Sequence, residues 1–142
     1  MLVRDVMNRN VIATRPDVKI KEAVKIMNKL SIGSLVVLDE KNNIVGIVTE
    51  RDILKSIEKD IDPEINEVKD IMSKNVKTVS SDTDLKDAVD IMLKYKIKKL
   101  PVVDNGNLVG IITTSDIVVV EPKIIESIAN LLSIKLPGYR GG

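Results

Sequence analysis

The sequence predicts a mixed α/β (α+β) fold built from two copies of one unit, packed about a pseudo-twofold axis, with small sheets covered by helices. Three observations predict it. Residues 3–39 align with 68–104, and 43–53 with 107–117, and about half of the aligned positions are identical, which marks an internal duplication. Within each copy, apolar residues at helical spacing alternate with short β-branched runs. Asn105-Gly106 stands between two apolar runs, the usual signature of a tight hairpin.

Taken in order, each copy opens with a short apolar-spaced helix, Val3 to Met7 and then Val68 to Met72. A β-like segment follows, Val11 to Thr14 or Val76 to Val79. Pro16-Asp17 and Ser80-Ser81-Asp82 break the chain and introduce a helix. That helix carries Ile20, Ala23, Val24, Met27 and Leu30 in the first copy and Leu85, Ala88, Val89, Met92 and Tyr95 in the second. Two strands come next, Leu35 to Leu38 with Ile44 to Val48, and Leu100 to Val103 with Leu108 to Ile112. The closing helix runs from Glu50 to Glu58 and from Thr114 to Val120. The order is helix, strand, helix, strand, strand, helix, or β-α-β-β-α once the opening turn is set aside. Residues 1–58 form the first repeat, 59–66 a polar linker with Pro63, and 67–121 the second repeat. Residues 122–142 carry an amphipathic helix (Ile124, Ile125, Ile128, Leu131, Leu132) and a Gly- and Pro-containing tail from Leu136, expected to be flexible. That helix either packs back on the chain or serves self-association, and a contribution to a dimer is expected.

Composition removes several functions. The 142 residues are 44% hydrophobic and 30% charged, as in globular proteins, with a net charge of +1 and hence no basic field for nucleic acid or an acidic membrane. There is no Cys and no His, which removes thiolate chemistry, Ser-His-Asp arrangements and the commonest zinc ligand. With two Tyr and neither Phe nor Trp, no aromatic platform exists for single-stranded nucleic acid. No apolar run approaches the ~18 residues of a membrane span, and no signal-peptide pattern is present, so a cytoplasmic location is expected.

The stretch that carries chemistry is Gly46-Ile47-Val48-Thr49-Glu50-Arg51-Asp52, repeated as Gly110-Ile111-Ile112-Thr113-Thr114-Ser115-Asp116. A strand ends, a helix begins, and a Thr hydroxyl and an Asp carboxylate lie beside free N–H groups that favour anions. The carboxylate suits a ribose diol. An equally physical reading makes Thr49 and Thr113 helix N-caps and Asp52 and Asp116 first-turn acids.

The order of elements, the Leu100-Pro101-Val102-Val103-Asp104 string and the two Gly-Ile-x-Thr-x-x-Asp strings resemble the cystathionine-β-synthase (CBS) domain. Two in tandem resemble a Bateman module of the stand-alone archaeal or bacterial type, and the resemblance covers residues 1–121. It implies a regulatory, non-catalytic module that senses adenosyl compounds (AMP, ADP, ATP or S-adenosylmethionine and its relatives) in clefts between the repeats. A disc-like homodimer and an unidentified regulated protein follow from the same resemblance. No cofactor is required, although a polyphosphate can bring Mg²⁺ with it.

Carried over by position, the resemblance gives Asp52 and Asp116 the ribose hydroxyls and Thr49 and Thr113 the phosphate. The cleft of Asp52 takes Ile47, Thr49, Asn75, Lys77, Ile97, Lys98 and Lys99. The cleft of Asp116 takes Asn10, Ile12, Ile32, Ser34, Ile111 and Thr113. Lys98 and Lys99 stand where the first repeat has Gly33 and Ser34, which favours a polyphosphate in the cleft of Asp52. The competing reading of Lys94 to Lys99 is a solvated charge run, and that of Ile12, Ile32 and Ile97 is core. Met7, Met27, Met72 and Met92 are expected in the core. Val36 stands where the second repeat has Pro101, a departure from the family string that bears on whether both clefts bind one ligand. The alternative to a sensor is a constitutive oligomerisation scaffold.

Overall fold

The computed structural model describes residues 1–120 and 125–132. The tail from Leu136 and the apolar position Ile124 lie outside them. The described backbone gathers into two compact units, one of residues 11–76 with 106–108, the other of residues 1–10, 77–105, 109–120 and 125–132. They are named here for Asp52 and Asp116. The units do not coincide with the sequence repeats, because the opening segment of each repeat belongs to the unit of the other.

In the Asp52 unit, β1 (Ala13–Thr14), α1 (Ile20–Leu30), β2 (Ser34–Leu38), β3 (Ile44–Thr49) and α2 (Glu50–Glu58) follow the expected order. The sheet runs β1-β2-β3, with β1 parallel and β3 antiparallel to β2. The parallel pair requires a crossover, which α1 supplies. Ile20, Ala23 and Met27 recur at helical spacing on α1 and are buried. Ala23 and Met27 pack with Leu35, Val37 and Val48 of the sheet, and Val68 joins them from the second repeat. Residues Val68–Asp70 make a 3-10 turn in place of the expected short helix. Beyond it Ser73 and Ile47 exchange both backbone hydrogen bonds, at 2.9 and 3.0 Å, tying the segment to the middle of β3.

The Asp116 unit repeats the plan with a 3-10 turn at Val3–Asp5, α3 (Leu85–Tyr95), β4 (Lys99–Asp104), β5 (Asn107–Thr113, of which it holds the part from Val109) and α4 (Thr114–Val120). Here Asn8 and Ile111 exchange backbone hydrogen bonds at 2.8 and 2.9 Å. Val3, Leu85, Ala88, Val89, Met92, Leu100, Ile112 and Ile117 fill the core. The two-residue connection Asn105-Gly106 has φ of 51° and 80°, both in the left-handed region that a hairpin turn of this kind needs. In the first repeat the turn is one residue longer. Asp39 closes it by accepting from the N–H groups of Lys41 and Asn43, each at 2.9 Å.

The expected strand at Val76–Val79 is reduced to one parallel bridge, Val79 with Val102. Proline is the reason. In the first repeat the Val36 N–H donates to the Ile12 carbonyl (3.4 Å), and the aligned donor in the second repeat is Pro101, which has no N–H. The remaining bonds, Val79 N–H to Pro101 O (3.1 Å) and Val103 N–H to Val79 O (2.8 Å), hold the bridge.

The last helix, α5 (Ile125–Leu132), lies against α3 and α4. Ala129 is buried there, and Leu131 and Leu132 pack on the core. Sequence reasoning favoured a dimer contact for this helix. Packing back on the chain was the other role that sequence reasoning left open, and Ala129, Leu131 and Leu132 do pack there.

Candidate ligand site at the two threonine–aspartate turns

Each turn sits where a strand hands over directly to a helix. Thr49 has extended backbone (φ −123°, ψ 167°) and is the N-cap of α2, so Asp52 falls three residues on, within reach of it. Oδ2 of Asp52 accepts from the Thr49 N–H (2.9 Å) and from the Thr49 hydroxyl (3.1 Å), and the hydroxyl accepts from the Asp52 N–H at 3.4 Å. This is a reciprocal capping box with aspartate in the third helical position. The second copy repeats it at 3.0, 2.9 and 3.3 Å for Thr113 and Asp116. Both aspartates are half-buried, and no hydrogen bond to Oδ1 of either is found among the described residues. One oxygen fixes the carboxylate, and the other is presented.

The start of the helix is held from a second side. The Gly33 carbonyl accepts from the Glu50 N–H (3.1 Å), and the Lys98 carbonyl accepts from the Thr114 N–H (3.0 Å). The backbone of residue 98 therefore has a structural task, while its side chain is exposed.

The exchanged opening segments decide which predicted residues share a unit. Ser73 pairs with Ile47, so Asn75, two residues on, lies in the unit of Ile47, Thr49 and Asp52. Ile12, Ile32 and Ser34 belong to that unit too, with Ser34 opposite Thr49 across β2 and β3. Ile12 and Ile32 are half-buried against its core. In the Asp116 unit Asn8 pairs with Ile111, and the Asn10 N–H donates to Asn8 Oδ1 at 2.9 Å. Asn10, Ile111, Thr113 and Asp116 thus fall together, and Lys77, Ile97, Lys98 and Lys99 are in the same unit. Ile97 packs on the core, and the Lys77 ammonium stands 4.5 Å from the centroid of the Tyr95 ring.

Sequence reasoning missed the partners of the glycines. A Cβ on Gly46 or Gly110 would meet the sulfur of Met72 or Met7. The signal was present in the invariance of Gly and Met between the two copies, but nothing in the spacing joined them. No group of three or more acidic residues that could hold a metal ion occurs among the described residues. None of the described helices is long and apolar enough to cross a membrane.

Three carboxylates, Asp70 exposed and Asp39 and Asp104 half-buried, are held below the usual range by donors. For Asp39 the Asn43 N–H leads, for Asp70 the Glu67 N–H, and for Asp104 the hydroxyl and N–H of Ser81. Asp104 and Asp39 are aligned positions with different partners. Ser81 aligns with Pro16, which has no N–H to give, so Asp39 turns to its own loop. Arg15 also binds that loop, donating to the carbonyls of Leu38 and Asp39 and to the Asn42 side chain.

The model of the CBS domain matches residues 3–59 and 68–122, nearly the whole of both repeats. The chain belongs to the CBS-domain family. This CBS pair is similar to a solved pair from the protein MJ0100 in complex with 5′-methylthioadenosine and S-adenosyl-L-methionine. The two are 33% identical with a TM-score of 0.79, covering 87% of this chain and 97% of that one. The CBS domain protein TA0289 of Thermoplasma acidophilum gives a TM-score of 0.85 at 32% identity, covering 94% and 75%. A 17.7 kDa protein of Acidianus ambivalens is 43% identical over 117 residues, 81% of this CBS pair and 70% of that protein. Inosine-5′-monophosphate dehydrogenase of Methanocaldococcus jannaschii is 37% identical over 114 residues, but the match spans only 22% of the enzyme.

Proposed function

We propose that this CBS pair is a regulatory sensor of adenosyl compounds, AMP, ADP, ATP or S-adenosylmethionine-type, acting in the cytoplasm as a homodimer on a separate protein. The observation that carries the reading is the pair of matched turns, each holding Asp52 or Asp116 by Oδ2 and leaving Oδ1 for a ribose diol. Two copies with the same atoms, distances and backbone are more than one helix cap requires. The similar MJ0100 pair in complex with two adenosyl molecules supports the ligand class. Ile12, Ile32, Ile47, Ile97 and Ile111 offer apolar surface to a flat base. Lys98 with Lys99 supplies charge for phosphate, and any Mg²⁺ would arrive with a polyphosphate. A sensor also requires that ligand bind two arrangements of the protein unequally.

Thermal unfolding with AMP, ADP, ATP, S-adenosylmethionine and methylthioadenosine tests this. A ligand at 100 times its dissociation constant adds about 2.7 kcal/mol to the folded state. At least one of the five is expected to raise the midpoint, and Asp52→Ala or Asp116→Ala to blunt the rise. No response at millimolar concentration would leave a constitutive oligomerisation scaffold as the reading.

A further inference from the structure

The duplication supplies an internal control for one loop cluster. In the second copy Ser80, Ser81, Asp82 and Asp104 spend their polar groups on one another. The Ser80 hydroxyl donates to Asp82 Oδ1 at 2.5 Å, and the Ser81 N–H donates to Asp104 at 2.9 Å. The aligned residues of the first copy are Arg15, Pro16, Asp17 and Asp39, and they surround an open recess of about 890 Å³ in the Asp52 unit. Glu40, Lys41 and Lys69 complete its charged lining. The recess is a different place from the turn of Thr49 and Asp52. Ser34 and Thr49 pair at one end of β2 and β3, whereas the recess opens at the Leu38 end, about 13 Å along the strand.

Some of these charges are spent and some are not. A guanidinium carries one donor on Nε and a pair on each Nη. In Arg15, Nη1 donates to the carbonyls of Leu38 and Asp39, and Nη2 donates once, to Asn42 Oδ1 at 3.1 Å. The group is thereby fixed against the hairpin, and its Nε donor and one Nη2 donor have no acceptor among the described residues. Asp39 is occupied by the N–H groups of Lys41 and Asn43, and Lys69 pairs with Glu67 at 3.0 Å. The carboxylates of Asp17 and Glu40 and the ammonium of Lys41 make no hydrogen bond or ion pair among the described residues. The lining is neutral as a whole, three cations against three acids, with unspent groups of both signs.

We propose that this recess binds a free amino acid as its zwitterion. The carboxylate takes the unspent donors of Arg15 together with Lys41, and the ammonium meets Asp17 and Glu40. A net anion or a net cation would leave half of these groups opposed to it, whereas a zwitterion answers both signs. A guanidinium already held by three bonds gives up little further freedom on gripping a carboxylate. The second copy has Ser80 in place of this cation and spends its acids internally, so the site belongs to the first repeat alone. It stands apart from the adenosyl reading and does not depend on it.

Titration of the isotopically labelled full chain with each common L-amino acid at millimolar concentration, followed through its amide resonances, tests it. At least one is expected to shift the amides of Arg15, Asp17, Lys41 and Asn43 saturably while those of Thr49 and Asp52 stay in place. The N-acetyl and carboxamide derivatives of that amino acid, each lacking one charge, should bind about 10-fold or more weakly. Arg15→Gln should weaken the amino acid by a similar factor. Because Arg15 also holds the hairpin, the double variant Asp17→Asn with Glu40→Gln, at side chains that hold nothing, is the second test, and its unfolding midpoint should match wild type. Absence of any shift at these amides overturns the proposal, as do shifts confined to Thr49 and Asp52. Acetate or phosphate binding as tightly as the amino acid overturns it too, by showing an anion site, and so does full affinity in Arg15→Gln or in the double variant. No adenosyl compound is in the titration, so failure of that reading is seen separately.

Discussion

Gly46 lies so close to Met72 that a Cβ on the glycine would sit 2.5 Å from the methionine sulfur and 3.0 Å from the Ser73 carbonyl oxygen. Gly110 and Met7 repeat the relationship at 2.6 Å. The glycine of the repeated motif is therefore a packing requirement, letting the opening segment of the other repeat lie flat on the strand. Gly46→Ala is expected to cost about 1–3 kcal/mol by overpacking. In a Met72→Ala background the cost should shrink, since the flexible thioether is the main obstacle. Urea unfolding of the four species of this cycle measures the coupling. Additive costs would show that the methyl is opposed by the backbone rather than by Met72.

Replacing Asp52 or Asp116 by Asn keeps the size of the side chain and removes the charge that the free Oδ1 would offer a diol. A hydrogen bond to a charged group contributes roughly 1.5–3 kcal/mol, so affinity for the adenosyl ligand should fall about 10- to 100-fold at the site affected. Calorimetric titration with the intact ligand and its 2′,3′-dideoxy analogue separates the causes. The analogue should bind wild type and variant alike. An equal loss for both ligands would mean that the aspartate shapes the turn and does not touch the ribose.

The hydroxyls of Thr49 and Thr113 have one proton each, and it is donated to the aspartate at 3.1 and 2.9 Å. On the proposed reading, both threonines would act on a ligand through the aspartate. Thr49→Val should weaken AMP and adenosine by the same factor and cost about 1 kcal/mol of stability as a lost cap. Thr49→Ser should restore both. A loss confined to AMP would instead place the hydroxyl on the phosphate.

Much of this was legible in the sequence, for identifiable reasons. The helices of Ile20–Leu30 and Leu85–Tyr95 have full apolar stripes, and the Asn105-Gly106 turn has chemistry that admits few alternatives. The Thr-x-x-Asp turn was readable because a helix cap and a ligand site need the same residue types at the same spacing. What could not be read was the exchange of the opening segments. Val3-Arg4-Asp5-Val6-Met7 and Val68-Lys69-Asp70-Ile71-Met72 are nearly the same string, so either suits either unit, and only the fold decides. The loss of a strand at Val76–Val79 was also hidden, because it depends on a missing donor at Pro101 across the sheet.

Asp39, Asp70 and Asp104 titrate below the usual carboxylate range in the folded chain because backbone and hydroxyl donors favour their charged forms. A depressed folded value means that the unfolded chain takes up protons first as pH falls. The stabilisation is complete above the ordinary carboxylate range and disappears as pH drops through the folded values. The urea midpoint should thus be flat from neutrality to about pH 5 and decline below it. Asp104→Asn should lower the plateau and make the decline shallower. A midpoint that rises on acidification would contradict the assignment.

Pro101 offers a test of why the two sheets differ. Pro101→Val supplies the N–H that Val36 donates to Ile12 in the first repeat, and the matching acceptor is the Lys77 carbonyl. The new hydrogen bond is worth about 0.5–1.5 kcal/mol net, while loss of the proline ring frees the unfolded chain by about 0.4–1 kcal/mol. The two nearly cancel, so stability should change little. The informative readout is hydrogen exchange, in which the amide at position 101 should be protected to the degree seen at Val36, with the second repeat gaining a parallel strand where it now has one bridge. An unprotected amide at 101 would show that the Lys77 backbone is held away by something other than the proline.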